Sequence, residues 1–403
     1  MAPQDLWLKK DGTRSARYGR GKRWRVAYED PNTGEVKTEA FTRKSDAETF
    51  EAAIKTDIAR GLYIDPEAGK IKVRDFAETW RLNQLHAPLT VQRTETALRL
   101  HVLPLLGHLS MVSVRSSTMK AWVKDRATVL APSTLRVIYL GIVAPMFEQA
   151  VLDRVIGVTP CRGIRLPEVE QKDLVVPTLE QVHRVAQALP RRFRPIPLLA
   201  AGCGWRGGEI FGAEVDAFNL LHRRATVRQQ IVRANGGPAF LAAPKTRQSV
   251  RMTPLPDVLV DAIGDHIGRY EPAEVKIVDR TNPRVPLTRT ARLMFSTVTG
   301  RPLHSSIWAD IWPDAVDEAG LPEGTGLHAL RHYFATALIA NGASVKTVQK
   351  LLGHSKPSTT LDVYTAFWPE QKDSTRSLLN DAFDGRKSDE DGEDPVAESP
   401  GGS

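Results

Sequence analysis

The spacing of apolar residues changes along this chain, and each change marks a region. Over residues 22–42 the period is two: Trp24, Val26 and Tyr28 alternate with Arg23, Arg25 and Ala27, the pattern of a half-buried strand. Asp30 to Gly34 (DPNTG) supplies turn residues before a second strand through Phe41, so the segment reads as a β-hairpin. Ser45 and Glu48 in SDAE read as a capping box opening a helix to about Arg60. From Val73 to about Val158 the period lengthens to that of a helix. Phe76 and Trp80 mark one face, Thr90 caps a second helix that ends before HVLPLLGHL, Ser116 or Ser117 opens a third, and Pro132-Ser133 begins a long fourth through Val151. Glu168 to Val182 reads as a linker into a last region, whose first helix starts at Pro177 and Thr178. That region mixes helices with strands at RATVRQQIV, PAFLAA and SVRMTPL, with a turn at Asn235 to Gly237; a polar stretch at about 271–290 reads as a surface loop.

Length and charge narrow the classes. A chain of 403 residues is long enough for two or three domains, each with its own core. The net charge is +8 and the pI about 9.4, unevenly spread. Lys9, Lys10, Arg14, Arg17, Arg20, Lys22, Arg23 and Arg25 crowd the start, and an acidic run mixed with Gly, Ser and Pro follows Asp384. Positive charge favours polyanions, because each neutralised phosphate releases condensed counterions; the acidic end reads as a disordered tail. Cys161 and Cys203 alone exclude a disulfide framework or a CxxC metal site. No hydrophobic run approaches the length of a membrane span and no signal-peptide core is evident, so the chain reads as soluble and cytoplasmic. The basic hairpin and its helix read equally as a separable DNA-binding module or as a cap on the next domain.

The residues that carry chemistry stand in the last third. HALRHYFATALIANG and LLGHSKPSTTLDVYTAF hold His328, Arg331, His354 and Tyr364, and GCGWRGGEI holds Arg206 and Glu209. Cutting a phosphodiester without a metal requires cations on the non-bridging oxygens, an in-line nucleophile and a proton for the leaving oxygen. Arg206 and Arg331 suit the first task, since a guanidinium binds phosphate bidentately and stays charged. His328 and Arg331 share one helix face at i,i+3, although a lone H-x-x-R is more often a surface or capping feature. Arg206 enters an apolar run and needs compensation, which Glu209 or a phosphate supplies; the two also fit a plain structural pair. Lys245 in APKTRQSVRMTPL, with Arg247 as its rival, is the candidate proton donor, because an arginine does not release its proton near neutrality. A phenol has a pKa near about 10 and needs help from neighbouring cations. Tyr333, directly after Arg331 and His332, competes with Tyr364 for that role.

Together these motifs resemble the tyrosine recombinases, the phage-integrase family. Arg206, Lys245, His328, Arg331, His354 and Tyr364 occur in the family's order, and the distance from LGHS selects Tyr364 over Tyr333. GCGWR departs from the family's Thr-Gly-x-Arg-like entry, and Thr365-Ala366 stand where a His often follows the nucleophile. LPLLGHLSMVSV, APSTLRVIYLGIVAPMFEQAVLDRVI and TPCRGIRLP resemble the family's core-binding domain. The resemblance implies a multidomain α+β chain. Residues 1–65 would form a small β-hairpin/helix arm-type DNA-binding module, 71–165 an all-α SAM-like core-binding domain, and 172–383 a mixed, mainly-α catalytic domain with a small antiparallel β-sheet. Residues 384–403 would be the disordered acidic tail. It implies a 3′-phosphotyrosyl intermediate with neither cofactor nor metal, and Lys245 on a mobile hairpin protonating the leaving 5′-oxygen. It further implies double-stranded attachment-site DNA as partner, a homotetramer joined near Ser374 to Phe383, and a nucleoid-associated life in a bacterial host. A DNA-bending host protein and an excisionase-like partner follow from an arm module. Arg23, Arg25, Arg93, Arg99, Lys120 and Arg136 are candidate DNA contacts, though such charges are usually the solvated side of an amphipathic element. Two rivals share these features: a type IB-like topoisomerase and a non-catalytic DNA-binding regulator on the same fold.

Overall fold

The computed structural model describes residues 2–31, 33–170, 174–234 and 236–368; Asn235, the segment from Ser374 to Phe383 and the acidic tail lie outside them. The chain divides into two compact units, Met1–Lys172 and Asp173–Ser403.

In the first unit, β1 (Gln4–Asp5), β2 (Trp24–Glu29) and β3 (Val36–Phe41) form an antiparallel sheet in the order β1-β2-β3. The expected hairpin is present, with Trp24 opposite Phe41 and Tyr28 opposite Lys37. β1 is an addition too short to show a period. Helix α1 (Lys44–Ala59) covers one face, where Tyr28, Ile54 and Tyr63 are buried against Phe50 and Ile58. Lys37 ties this module together through Asp30 at 2.7 Å and through Asp65. The cap of α1 differs from expectation: Arg43 is the N-cap without a side-chain bond, so Ser45 falls inside the first turn, where its hydroxyl cannot cap.

The helical part comprises α2 (Val73–Leu82), α3 (Pro88–Ala97), α4 (Leu103–Leu106), α5 (Ser116–Arg126), α6 (Pro132–Ile138) and α7 (Ala144–Leu152). α3 begins at Pro88 rather than Thr90, since proline is well suited to a first helical position. It does not stop before HVLPLLGHL: a π turn at Leu98–Val102 carries it into α4, and a second at Tyr139–Val143 joins α6 to α7. Pro104 and Pro145 follow these turns. Each proline lacks an N–H and crowds the carbonyl four residues back, and widening the helix by one residue relieves both problems. The stretch Pro132–Leu152 is long and apolar enough, by length and composition, to cross a membrane, contrary to the sequence reading. Here Leu135, Val143, Met146 and Phe147 pack into a protein core with Val102, Met119 and Trp122.

In the second unit, α8 (Leu179–Ala188) opens with the expected cap: Thr178 Oγ1 accepts from the Gln181 N–H, and the Gln181 side chain accepts in return from the Thr178 N–H. α9 (Pro195–Cys203) and α10 (Gly207–Phe211) follow. Strands β4 (Phe218–Asn219), β5 (Arg224–Val227), β6 (Gln230–Val232), β7 (Phe240–Ala242) and β8 (Arg251–Pro254) come next, then α11 (Asp257–Arg269), β9 (Ala273–Arg280) and β10 (Leu287–Leu293). RATVRQQIV, read as one strand, divides between two sheets, β4-β5-β8 and β10-β9-β7-β6. The second sheet is mixed rather than antiparallel, because β7 and β9 run parallel. The stretch at 271–290 is no loop: β9 and β10 form a hairpin whose Ile277, Ala291 and Leu293 are buried. Its many charges hid that alternation. Next come α12 (Ser305–Glu318), α13 (Leu327–Ala340), α14 (Val345–Leu352) and α15 (Pro357–Tyr364).

Candidate active site

Two left-handed glycines aim the site. Gly204 ends α9 at φ +64, and a Cβ there would lie 2.4 Å from the Phe334 ring, so only glycine fits the turn. The chain leaves it extended, with Arg206 as N-cap of α10. Glu209, one turn on, accepts from the Arg206 N–H at 2.9 Å and from Arg206 Nη1 at 2.8 Å. Its other partner is Arg251 of β8, whose Nη2 lies 2.9 Å away. Arg251 also donates to the carbonyls of Leu351 (2.7 Å) and Ser249 (3.0 Å). Burial alone would raise the Glu209 carboxyl, but Arg251 and Arg206 outweigh it and hold it below its usual value.

Helix α13 carries His328, Arg331 and His332. Arg331 is 1% exposed and spends its two terminal nitrogens on the carbonyls of Gly204 and Leu352; its Nε has no partner among the described residues. Burial, then Arg206 and Arg251, lower its pKa to about 9, which leaves it charged at neutrality. Gly353 ends α14 at φ +65, where a Cβ would meet Ser249 Cα at 3.0 Å and the Gln248 carbonyl at 3.1 Å. His354 therefore sits in a tight turn, its Nδ1 2.9 Å from Thr360 Oγ1 on α15. The last residue of α15 is Tyr364, 1% exposed, with its hydroxyl 2.7 Å from His332 Nδ1. Burial raises the phenol to about 12, with Arg331 pulling the other way. His332 and His354 are each lowered to about 4, by burial first and then by neighbouring cations and imidazole. His328 is lowered by the same cause and by Arg331 and Arg206, and its ring meets His332 edge-on at 4.6 Å.

The fold thus gathers Arg206, Glu209, His328, Arg331, His354 and Tyr364 around the ends of α9, α14 and α15; the fields of Arg331, Arg206 and His328 all reach His354. Lys245 stands apart. It is exposed on the connection from β7 to β8, which joins two sheets rather than turning a hairpin. That connection is stapled near the site, since Ser249 Oγ donates to the Gly353 carbonyl at 3.3 Å. Arg247 is exposed on the same segment, while Tyr333 packs against the main core. Sequence reasoning missed Arg251 and His332. Arg251 had a signal: with Thr253 it occupies the inward face of a strand, where an unpaired arginine would not be tolerated. A cleft of about 810 Å³ borders His354 and Arg251, lined also by Arg223, Arg224, Lys346 and Lys350.

Of the candidate DNA contacts, Arg93, Arg99 and Lys120 are exposed and Arg136 is half-buried on the helical part. Arg23 pairs with Asp5 at 2.8 Å and Arg25 donates to the Gln4 side chain, so both already have partners within their own sheet.

Residues 175–370 match the Phage integrase family. The chain is 29% identical over 254 residues to a XerC-like tyrosine recombinase of Caldanaerobacter subterraneus subsp. tengcongensis, covering 59% of this chain and 63% of that protein. It is 24% identical over 349 residues to a putative prophage phiRv2 integrase of Mycobacterium tuberculosis, covering 84% and 88%. The matched part is therefore less than two thirds of the first relative's length and most of the second's. Among solved structures, the Tn1549 transposon integrase in complex with transposon right end DNA shares the fold at TM-score 0.66 and 21% identity, over 77% of this chain and 99% of that one. A lambda integrase dimer bound to a core site shares it at 0.55 and 13%, over 92% and 96%. With arginines, histidines and a tyrosine converging inside the matched residues, residues 175–370 form a domain of the phage integrase family.

Proposed function

We propose that this protein is a site-specific DNA recombinase that integrates or excises a mobile element such as a prophage. The observation that carries this reading is the meeting of Tyr364 with His332, on the helix of Arg331, inside a shell that also holds Arg206 and His354. Arg206 and Arg331 take the non-bridging oxygens of the scissile phosphate, where charge builds as the phenol attacks. Glu209 keeps Arg206 and Arg251 in place. His328 and His354, neutral at physiological pH, donate or accept at the phosphate edge. Tyr364 Oη bonds to phosphorus as its proton passes to a neutral histidine of the site, the 5′-oxygen leaves with a proton from Lys245, and the 3′-phosphotyrosyl bond conserves the energy for rejoining to a partner 5′-hydroxyl. Because Arg331 and Tyr364 are each 1% exposed, the reading includes an opening of the α14–α15 turn as DNA enters.

The same reading assigns residues 71–165 as a SAM-like core-binding domain, 172–383 as the catalytic domain and 1–65 as an arm-binding module. Exposed Arg93, Arg99 and Lys120 support phosphate contact by the first of these; in the module, Lys9, Lys10, Arg17 and Arg20 are exposed and better placed than Arg23 and Arg25. Attachment-site DNA, a homotetramer on it, and a DNA-bending protein and excisionase as accessories complete the proposal, in the cytoplasm of a bacterial host. The lambda integrase has been solved as a tetramer bound to a Holliday junction, a precedent for the assembly.

The test is covalent trapping on a nicked suicide duplex. Tyr364→Phe is expected to bind its core site normally and to form no adduct, while Tyr333→Phe still traps. Trapping by Tyr364→Phe but not by Tyr333→Phe would overturn the choice of nucleophile. Paired-site recombination against simple relaxation separates this reading from a topoisomerase.

A further inference from the structure

The hydrogen bond between Tyr364 and His332 does more than bring the nucleophile to the helix of Arg331. Tyr364 is enclosed by Phe334, Ala335, Ile339, Val348 and Leu352, an apolar shell in which its hydroxyl has one hydrogen-bond partner among the described residues, His332 Nδ1 at 2.7 Å. We infer that His332 is a positioning residue for Tyr364: its Nδ1 accepts the phenolic hydrogen and so ties the nucleophile to the helix that carries Arg331. This inference rests on the recombinase reading and adds a residue to it.

Three features support the role. First, His332 adjoins Arg331 on α13, whereas Tyr364 lies on α15. The contact therefore sets the nucleophile against the arginine that receives the phosphate, and in-line attack is sensitive to that separation. Second, the ring is held in place, because His328 packs edge-on against it at 4.6 Å. Third, His332 remains neutral far below physiological pH, and in the tautomer with its hydrogen on Nε2 the Nδ1 lone pair is free to accept from the phenol. With O–H directed at Nδ1, the free lone pairs of Oη point away from the imidazole. The opposite shifts of the two groups, phenol up and imidazole down, argue against His332 as the base that removes the proton before attack. Its work is orientation.

The experiment compares the full chain with His332→Ala and His332→Asn on a nicked suicide duplex, measuring DNA affinity and the maximal trapping rate separately. Asparagine places Oδ1 close to the position of Nδ1 and restores an acceptor without an imidazole. For His332→Ala the maximal rate is expected to fall about tenfold or more, with affinity within about twofold. For His332→Asn it should return to within about threefold of the parent. A His332→Ala protein that traps at the parental rate overturns the proposal, and so does His332→Asn that is no better than alanine, or a loss confined to DNA affinity. Should His332→Ala fail to fold, as its melting curve would show, the asparagine variant decides alone: near-parental trapping supports the role and a tenfold loss overturns it. If the parent forms no Tyr364 adduct, the recombinase reading itself falls; an adduct indifferent to His332 removes only the positioning role.

Discussion

The helical part of the first unit and the second unit solve folding in opposite ways. Between Val73 and Cys161 the buried side chains are apolar apart from Thr94, and Arg93, Arg99 and Lys120 stay outside. In the second unit Glu209, Arg251 and Arg331 are each below 10% exposed. Taking an ion out of water costs several kcal/mol even after relaxation, and an apolar core of equal volume would be at least as stable. The first arrangement is what folding alone selects. The second makes sense where a cationic pocket must be ready before an anion arrives, since donors fixed in advance need not reorganise when charge develops.

The comparison breaks first at Lys245, an exposed cation expected to have the largest effect. Lys245→Ala should slow cleavage of a normal 5′-oxygen by about 10²- to 10⁴-fold, and cleavage of a 5′-bridging phosphorothiolate far less, because a sulfur leaving group needs little protonation. Equal slowing on both substrates would assign Lys245 to phosphate binding and return Arg247 or a histidine as the acid.

Glu209→Ala tests the buried network. It leaves Arg251 without its carboxylate in a closed site, and a loss of about 3–5 kcal/mol is expected in denaturant unfolding of the second unit. A change within about 0.5 kcal/mol would mean that water enters the pocket freely.

A smaller effect comes from pH. His332 and His354 take up protons near pH 4 when folded but near 6.5, the ordinary imidazole value, when unfolded. Across that window the unfolded chain binds more protons, so stability present above pH 6.5 is lost as pH falls toward 4. The melting temperature of the parent should drop between pH 7 and 5, and the double variant His332→Asn, His354→Gln should show a shallower drop. An equal slope in both would place the acid sensitivity elsewhere.

The smallest change is expected from the helical surface. Arg93→Ala should move stability by no more than about 0.5 kcal/mol, while the salt dependence of core-site binding loses about one phosphate's share of its slope. An unchanged slope would make Arg93 an ordinary solvated residue.

Much of this molecule was legible in the order of its residues. Period two foretold β2 and β3, helical spacing and prolines foretold α6 with α7, and Thr178 foretold the start of α8. These depend on neighbours within a few positions. Where a competing local force acted, the reading failed: Pro104 did not end its helix because a π turn absorbed it, and the charges of β9 and β10 masked a buried alternation.

The site divides along the same line. Arg206, Glu209, His328, Arg331, His354 and Tyr364 were named as candidates from motif order and spacing, and the fold brings them together. Arg251 and His332 were not named, because their partners lie 42 and 32 residues away in the chain and no local pattern encodes such a pairing. The sequence by itself determined which groups are available and which turns present them. Only the tertiary structure decided that Arg251 shares the Glu209 carboxylate, that Lys245 lies on a crossing between two sheets, and that the phenol of Tyr364 rests on an imidazole. Burial and hydrogen bonding act between residues brought together by folding, and they are properties of that arrangement rather than of any segment.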